Sequence, residues 1–285
     1  MESETNKIVL NNLGHFLDHP ECVAWGPDSR VYAGGEAGQV YRFGLNDKSY
    51  DQFAQVEGGF VVGFALDSDC NVYACDEMLA RVHKITPQGE VSIYSSGNEE
   101  QAMRLPNYPV FDDNGNLFVS DSGDFGEKNG FIWRINPSGL SEIWDRSASG
   151  FTNGMCLSED GRSLYVVESS PPLISKIEIQ EDGSAGQRSV VVELPRQVPD
   201  GVALDSKGNL YISLYNPNII YQFTTSGELI TLYEDWRQLS LIAPTNVAFG
   251  GDDLKTLIIA SLCGWFVHTA PMEVSGLALR HPRIT

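Results

Sequence analysis

The stretch PDGVALDSKGNLYIS, residues 199–213, reads as a β-hairpin. Its first half is apolar, DSKGN carries turn chemistry, and NLYIS is β-branched and aromatic. The phrase recurs along the chain. Towards the N-terminus it returns as TNGMCLSEDGRSLYVVE (152–168), PNYPVFDDNGNLFVSD (106–121), VVGFALDSDCNVYACD (61–76) and PECVAWGPDSRVYAGG (20–35). Towards the C-terminus it returns as PTNVAFGGDDLKTLIIAS (244–261). A strand-built repeat of roughly 45 residues means a propeller or a linear array.

Each of the first five copies is followed by two more short strand-like runs, such as IIYQF (219–223) and ELITLY (228–233). Each unit is therefore four short antiparallel strands, and six units make an all-β six-bladed β-propeller. A linear array would leave sheet edges open, whereas ring closure leaves only short, protected ones. The predicted blades lie near 20–55, 59–96, 105–145, 150–195, 198–234 and 243–280, in one domain spanning 1–285. KIVLNNL (7–13) is predicted to pair as an outer strand of the last blade and latch the ring, with SGLALR (275–280) as a rival for that slot. NEEQAM (98–103) and EDWRQL (234–239) are predicted to form single helical turns in the long loops that join blades. Such loops cover the face where binding residues usually sit.

Composition narrows the function. With 19 Lys and Arg against 38 Asp and Glu, the net charge of −19 argues against a nucleic-acid partner and suits cations or simple solubility. The N-terminus lacks the basic start and apolar run of a signal peptide, and no stretch has the apolar length of a membrane span. Five cysteines without a CxxC fit reduced thiols in a cytoplasmic protein. A monomer or weak oligomer is expected.

The repeat supplies a register. The residue opening the first strand is Glu21, Val62, Asn107, Asn153, Asp200 and Thr245 in the six units, at spacings of 41, 45, 46, 47 and 45. In a propeller the first strand is innermost, so these residues ring the mouth of the central channel. Two carboxylates and two amides converge there. Four hard oxygen donors suit Ca²⁺, Mg²⁺ or Mn²⁺, whereas zinc calls for His or Cys. Coordination left open by four protein ligands is what a Lewis-acid catalyst needs. Asn246 is one residue out of register with Asp200, so it is read as a supporting residue. DSDCN (67–71), DDNGN (112–116) and DSKGN (205–209) look like pieces of a calcium loop, but they share one hairpin turn, and turn chemistry accounts for them. His15, His19, His83 and His268 are read as structural histidines without evident partners. Trp25, Trp133, Trp144, Trp236 and Trp265 are read as packing residues.

The strings PECVAW, TNGMCLSEDGRSLYVVES, PDGVALDSKGNLYIS and PTNVAFGGDDLKTL resemble those of the gluconolactonase, regucalcin (senescence marker protein) and luciferin-regenerating enzyme family of six-bladed propellers. The resemblance covers roughly residues 15 to 283 and is carried by the set of motifs rather than by any one of them. It implies a divalent-metal-dependent hydrolase acting on lactones or related esters, with Ca²⁺ first and Mg²⁺, Mn²⁺ or Zn²⁺ as alternatives. The family's metal-binding Glu, Asn and Asp fall on Glu21, Asn153 and Asp200. Its Asn after blade two, a metal or substrate contact, falls on Asn107. Members often carry Arg two residues before that Asn, as a contact to sugar hydroxyls. Here the segment is RLPN, with Arg104 three residues before Asn107. Arg104 and Asp121 are nevertheless expected at the substrate. The cation would polarise the carbonyl and a carboxylate would deprotonate the attacking water. The resemblance favours Asp200, with Asp121 and Glu168 as alternatives. A phosphotriesterase-like hydrolase on the same ring, and a non-catalytic calcium- or small-molecule-binding propeller, are the rival readings.

Overall fold

The computed structural model describes residues 6–14, 16–47 and 49–284. The first five residues and His15 lie outside the described residues.

Six four-stranded antiparallel sheets account for the strands of these residues. Blade one runs from Val23–Trp25 outward to Asp51–Gln55, and blades two to five repeat that order. Blade six is built differently. Its three sequential strands (Pro244–Gly250, Thr256–Ser261, Val267–Pro271) are completed by Asn11–Leu13, which pairs with Val267–Thr269 as the outermost strand. The N-terminal latch is therefore present, and SGLALR does not fill that slot. The predicted helical turns at 98–103 and 234–239 are irregular loop and turn instead. Within them, Asn98 and Asp235 accept hydrogen bonds from the backbone N–H groups of following residues, as turn residues do.

The burial gradient along each blade explains the order. The innermost strand Val61–Leu66 is buried at every position, while the outermost Val91–Ser95 is mostly exposed. The apolar residues of neighbouring blades meet face to face. Cys22, Ala24 and Tyr32 of blade one pack with Val61, Phe64 and Val72 of blade two. The other five blade interfaces hold equivalent clusters. The core is thus six wedges around an axis rather than one globule.

The lower end of each inner strand turns tightly. Asp112 accepts the backbone N–H of Asn114 and of Asn116 at 2.9 and 2.8 Å on one oxygen, and the Asn116 amide at 2.8 Å on the other. Asp67 and Asp205 do the same with Asn71 and Asn209. These carboxylates are satisfied by their own turns, so the calcium-loop likeness is turn chemistry, as read from the sequence.

SGLALR and the residues after it cross the lower face. Leu277 N–H donates to Leu204 O, Ser68 N–H donates to Pro282 O, and Arg280 reaches Asp113 and the carbonyls of Ser158 and Glu159. His281 Nδ1 lies 3.0 Å from Leu66 O. A cavity of about 50 Å³ lies between this tail and the apolar floor of the channel. The lower end of the channel is closed.

Candidate functional site

The upper ends of the inner strands carry a shared irregularity. In blades two to six the strand register shifts at the ring position: between Val61 and Gly63, Pro106 and Pro109, Thr152 and Met155, Pro199 and Val202, and Pro244 and Val247. A β-bulge re-aims a side chain and frees it from the ladder. Here the freed residues are Val62, Asn107, Asn153, Asp200 and Thr245. Side chains take over the lost ladder bonds, as Ser120 Oγ accepts Tyr108 N–H and Ser213 Oγ accepts Gly201 N–H, both at 3.0 Å. The residue after the ring position is Gly in three blades because neighbouring strands nearly touch. A Cβ on Gly63, Gly154 or Gly201 would lie 2.2, 2.6 or 2.7 Å from the carbonyl oxygen of the next blade's Asn107, Asp200 or Thr245.

Glu21, Asn107, Asn153 and Asp200 are 6 to 8% exposed, each at the top of its inner strand. Burial pushes the Glu21 carboxyl well above the usual range, and the neighbouring Asp200 pushes it further. Burial raises Asp200 as well, with the Asn153 amide working the other way. Among the described residues, Glu21 Oε2 is buried without a hydrogen-bond partner. A buried pair of like charges with an unpartnered oxygen is costly unless a proton or a cation neutralises it. The Asn153 amide is held 3.4 Å from Ser169 Oγ, which donates to Pro199 O at 2.6 Å. The Thr245 hydroxyl donates to the Glu21 carbonyl at 2.6 Å and ties blade six to blade one.

Beneath the ring, Asn246 Oδ1 accepts Val23 N–H at 3.2 Å and the Asn246 side chain hydrogen-bonds the Tyr108 hydroxyl. Asn246 lies beneath the ring, and the Tyr108–Asn246 pair makes the site a cup rather than a pore.

Two expected site residues have other tasks. Asp121 is fully buried, and its oxygens accept the backbone N–H groups of Arg104 and Leu105 at 2.9 Å and the Trp133 indole at 3.1 Å. Arg104 turns its guanidinium to Asp124 at 2.7 Å and is nearly half exposed. Glu168, the alternative base, accepts from Ser149, Gly150, Ser175 and Arg188. Asp76 does the same in blade two with Phe60 N–H, Leu79 N–H and His83. These three acids end the second strands and staple the loop that leads in or out. His83 is thus a satisfied structural histidine whose partner, Asp76, the sequence alone did not reveal. Burial lowers His268 to about 4. Trp236 and Trp265 are exposed, at 73 and 54%, and are not core residues.

One position further on lies a second register. It holds Gly35, Glu77, Ser122, Ser169, Tyr215 and Leu262. Glu77 adds its field to both Glu21 and Asp200, and both act on Tyr215. Beside the mouth, His19 Nδ1 lies 3.0 Å from Asp18 and 3.1 Å from Glu36, and its ring stacks on Trp265 at 5.2 Å. A concavity of about 840 Å³ opens between blades three and four beside Asp112 and Arg162 and shares no residue with the ring.

Residues 19–262 match the SMP-30/Gluconolactonase/LRE-like region. The chain belongs to that family. A pentonolactonase of Haloferax volcanii is 21% identical over 86% of this chain and 81% of its own. An uncharacterised protein of Sulfolobus acidocaldarius is 32% identical over 44% of this chain, and the match spans less than half of that protein, 47%. A calcium-binding protein of Agrobacterium tumefaciens, regucalcin, superposes with a TM-score of 0.76 at 16% identity, covering 96% of this chain and 95% of its own. That likeness shows the fold.

Proposed function

We propose that this SMP-30/gluconolactonase-like chain is a divalent-metal-dependent hydrolase that opens lactones. The observation carrying the reading is the buried Glu21–Asp200 pair, with Glu21 Oε2 unpartnered, in a ring completed by Asn107 and Asn153. Those four residues would hold the cation. They fit one: hard oxygens, two negative charges, and an orphaned carboxylate oxygen. Ca²⁺ is the first choice and a regucalcin is a structural neighbour. When bound, the ion supplies Lewis-acid polarisation of a carbonyl.

The chain's own contribution is position and proton transfer. The closed floor at Tyr108 and Asn246 lets the substrate approach only from above. Asp200 takes a proton from water as its oxygen bonds to the acyl carbon. The acyl C–O bond of the ring then breaks, and the ring oxygen leaves as a hydroxyl carrying that proton, giving a hydroxy acid. Asp121 and Glu168, already saturated with donors, are free for neither step.

The test is lactone turnover with Ca²⁺, with EDTA, and in Glu21→Gln and Asp200→Asn. Turnover should require the ion and fall by about 10²-fold or more in either variant. Turnover that survives EDTA and both substitutions would sink the reading.

A further inference from the structure

Side chains of two chemical kinds converge at Asp18, His19 and Glu36. His19 Nδ1 lies 3.0 Å from Asp18 Oδ1 and 3.1 Å from Glu36 Oε2. One ligand atom from each of the three lies within 4.8 Å of the other two. Consecutive side chains on an extended strand point to opposite sides. At His19 the backbone is left-handed instead, with φ 42°, and the Asp18 and His19 side chains meet. Each group is held from outside the cluster as well. Gln39 Nε2 donates to Asp18 Oδ2 at 2.8 Å and leaves Oδ1 to His19. The His19 ring packs on Trp265 at 5.2 Å, and the Trp265 carbonyl accepts Leu17 N–H at 3.0 Å. Glu36 N–H donates to the Asp18 carbonyl at 3.2 Å, which ties the two acids together through the backbone. All three side chains are open to solvent, at 34 to 56% exposed.

Imidazole and carboxylate donors sit about 2.0–2.2 Å from a zinc ion, so neighbouring donors on one ion stand about 2.9–3.5 Å apart. Both nitrogen–oxygen separations at His19 lie in that range. A single imidazole N–H serves two carboxylates only as a shared bond, whereas a divalent ion balances both charges. An imidazole nitrogen suits zinc and its transition-metal neighbours, while calcium takes oxygen. The donor set thus differs in kind from the all-oxygen ring that includes Glu21, two residues on. We propose that Asp18, His19 and Glu36 form a second metal site, for a zinc-class divalent ion, separate from the ring. Three protein ligands leave a fourth position to water, the open pattern of coordination. The Gln39 amide behind Asp18 is the kind of outer partner that orients a ligating group. The site is independent of the lactonase reading, because its ligands and its ion are different.

The experiment is a calorimetric titration of the full chain with zinc chloride in the presence of Ca²⁺. Cys263 is an exposed thiol within the field of Glu36, so the parent for the titration carries Cys263→Ser, which removes zinc capture by that thiol. The expected result is uptake of one zinc equivalent. His19→Phe, which keeps a ring against Trp265 and removes the nitrogen, should weaken the affinity at least about tenfold, and so should Glu36→Gln and Gln39→Leu. Asp200→Asn should leave it unchanged. Near-UV circular dichroism identical to the parent shows that each variant is folded. Co²⁺ gives a second readout, since its visible absorption on the parent should be lost in His19→Phe and kept in Asp200→Asn. No zinc uptake, uptake that is undiminished in both His19→Phe and Glu36→Gln, or uptake lost only with Asp200→Asn would each overturn the site. None of these readings depends on whether a lactone is turned over.

Discussion

The two ends of the inner strands differ in what they repeat. At the lower end, the six hairpin turns place Ser29, Cys70, Gly115, Gly161, Gly208 and Leu254 at one position, and all six have positive φ, from 53° to 82°. Here the side chains vary and the backbone does not. At the upper end the backbone again repeats, as a bulge in five of six blades, but the side chain it frees is different in nearly every copy. The lower end is scaffold, where any residue that tolerates the turn serves. The upper end is a frame of equivalent places, and chemistry arises from filling them unequally.

The largest effect expected from that contrast concerns the Glu21–Asp200 pair. Both carboxyls are raised in the folded protein, so the folded state binds more protons than the unfolded one above the ordinary carboxylate range. Stability of the metal-free protein must then fall as pH rises from about 4 through the raised values. Each pH unit of elevation corresponds to about 1.4 kcal/mol lost at the high-pH end. Thermal melts in EDTA should therefore show a falling midpoint from pH 5 to 7, flattened by Ca²⁺ or by Glu21→Gln. A metal-free midpoint that rises over this range would show that the pair is not strained. Next in size is the floor beneath the ring. Asn246→Ala leaves Val23 N–H and the Tyr108 hydroxyl short of a partner and should cost about 1–3 kcal/mol in urea melts. No loss would mean that the floor bonds are idle. The smallest effect belongs to the lower turns. Ser29 is exposed and held at φ 58°. Relieving a left-handed conformation worth about 1–2 kcal/mol, less the added unfolded-state entropy of glycine, should make Ser29→Gly more stable by about 0.5–1 kcal/mol. Gly208→Ala should lose a similar amount. If neither substitution moves the midpoint, the turns are not the uniform scaffold that their φ values indicate.

Much of this was legible because the chain repeats. Turn residues and β-branched runs predict the blades, and the first-strand register picks out Glu21, Asn107, Asn153 and Asp200 as one layer. It also places Asn246 outside that layer, where the structure finds it under the ring. What escaped the sequence depended on contacts between copies. Asp121 and Glu168 look like free acids at strand ends, and only the folded loops show the backbone N–H groups that occupy them. His83 needs Asp76 across a ladder pairing to become a bonded histidine. The bulge itself adds no special residue type. Arg104 is adjacent to the site in sequence, but Asp124 draws it away.

The C-terminal tail bears on how the ring comes apart. Repeat arrays are usually sums of neighbours, and their terminal units can fray alone. Here residues 275–282 hydrogen-bond to carbonyls, amides or side chains at the lower ends of blades two to six, and His281 bonds to Trp25 of blade one. A single short segment thus has contacts with every spoke of the wheel. Losing any blade would strip part of that segment's anchorage, and releasing the segment would loosen all six. Six repeats so tied melt as one cooperative body rather than blade by blade.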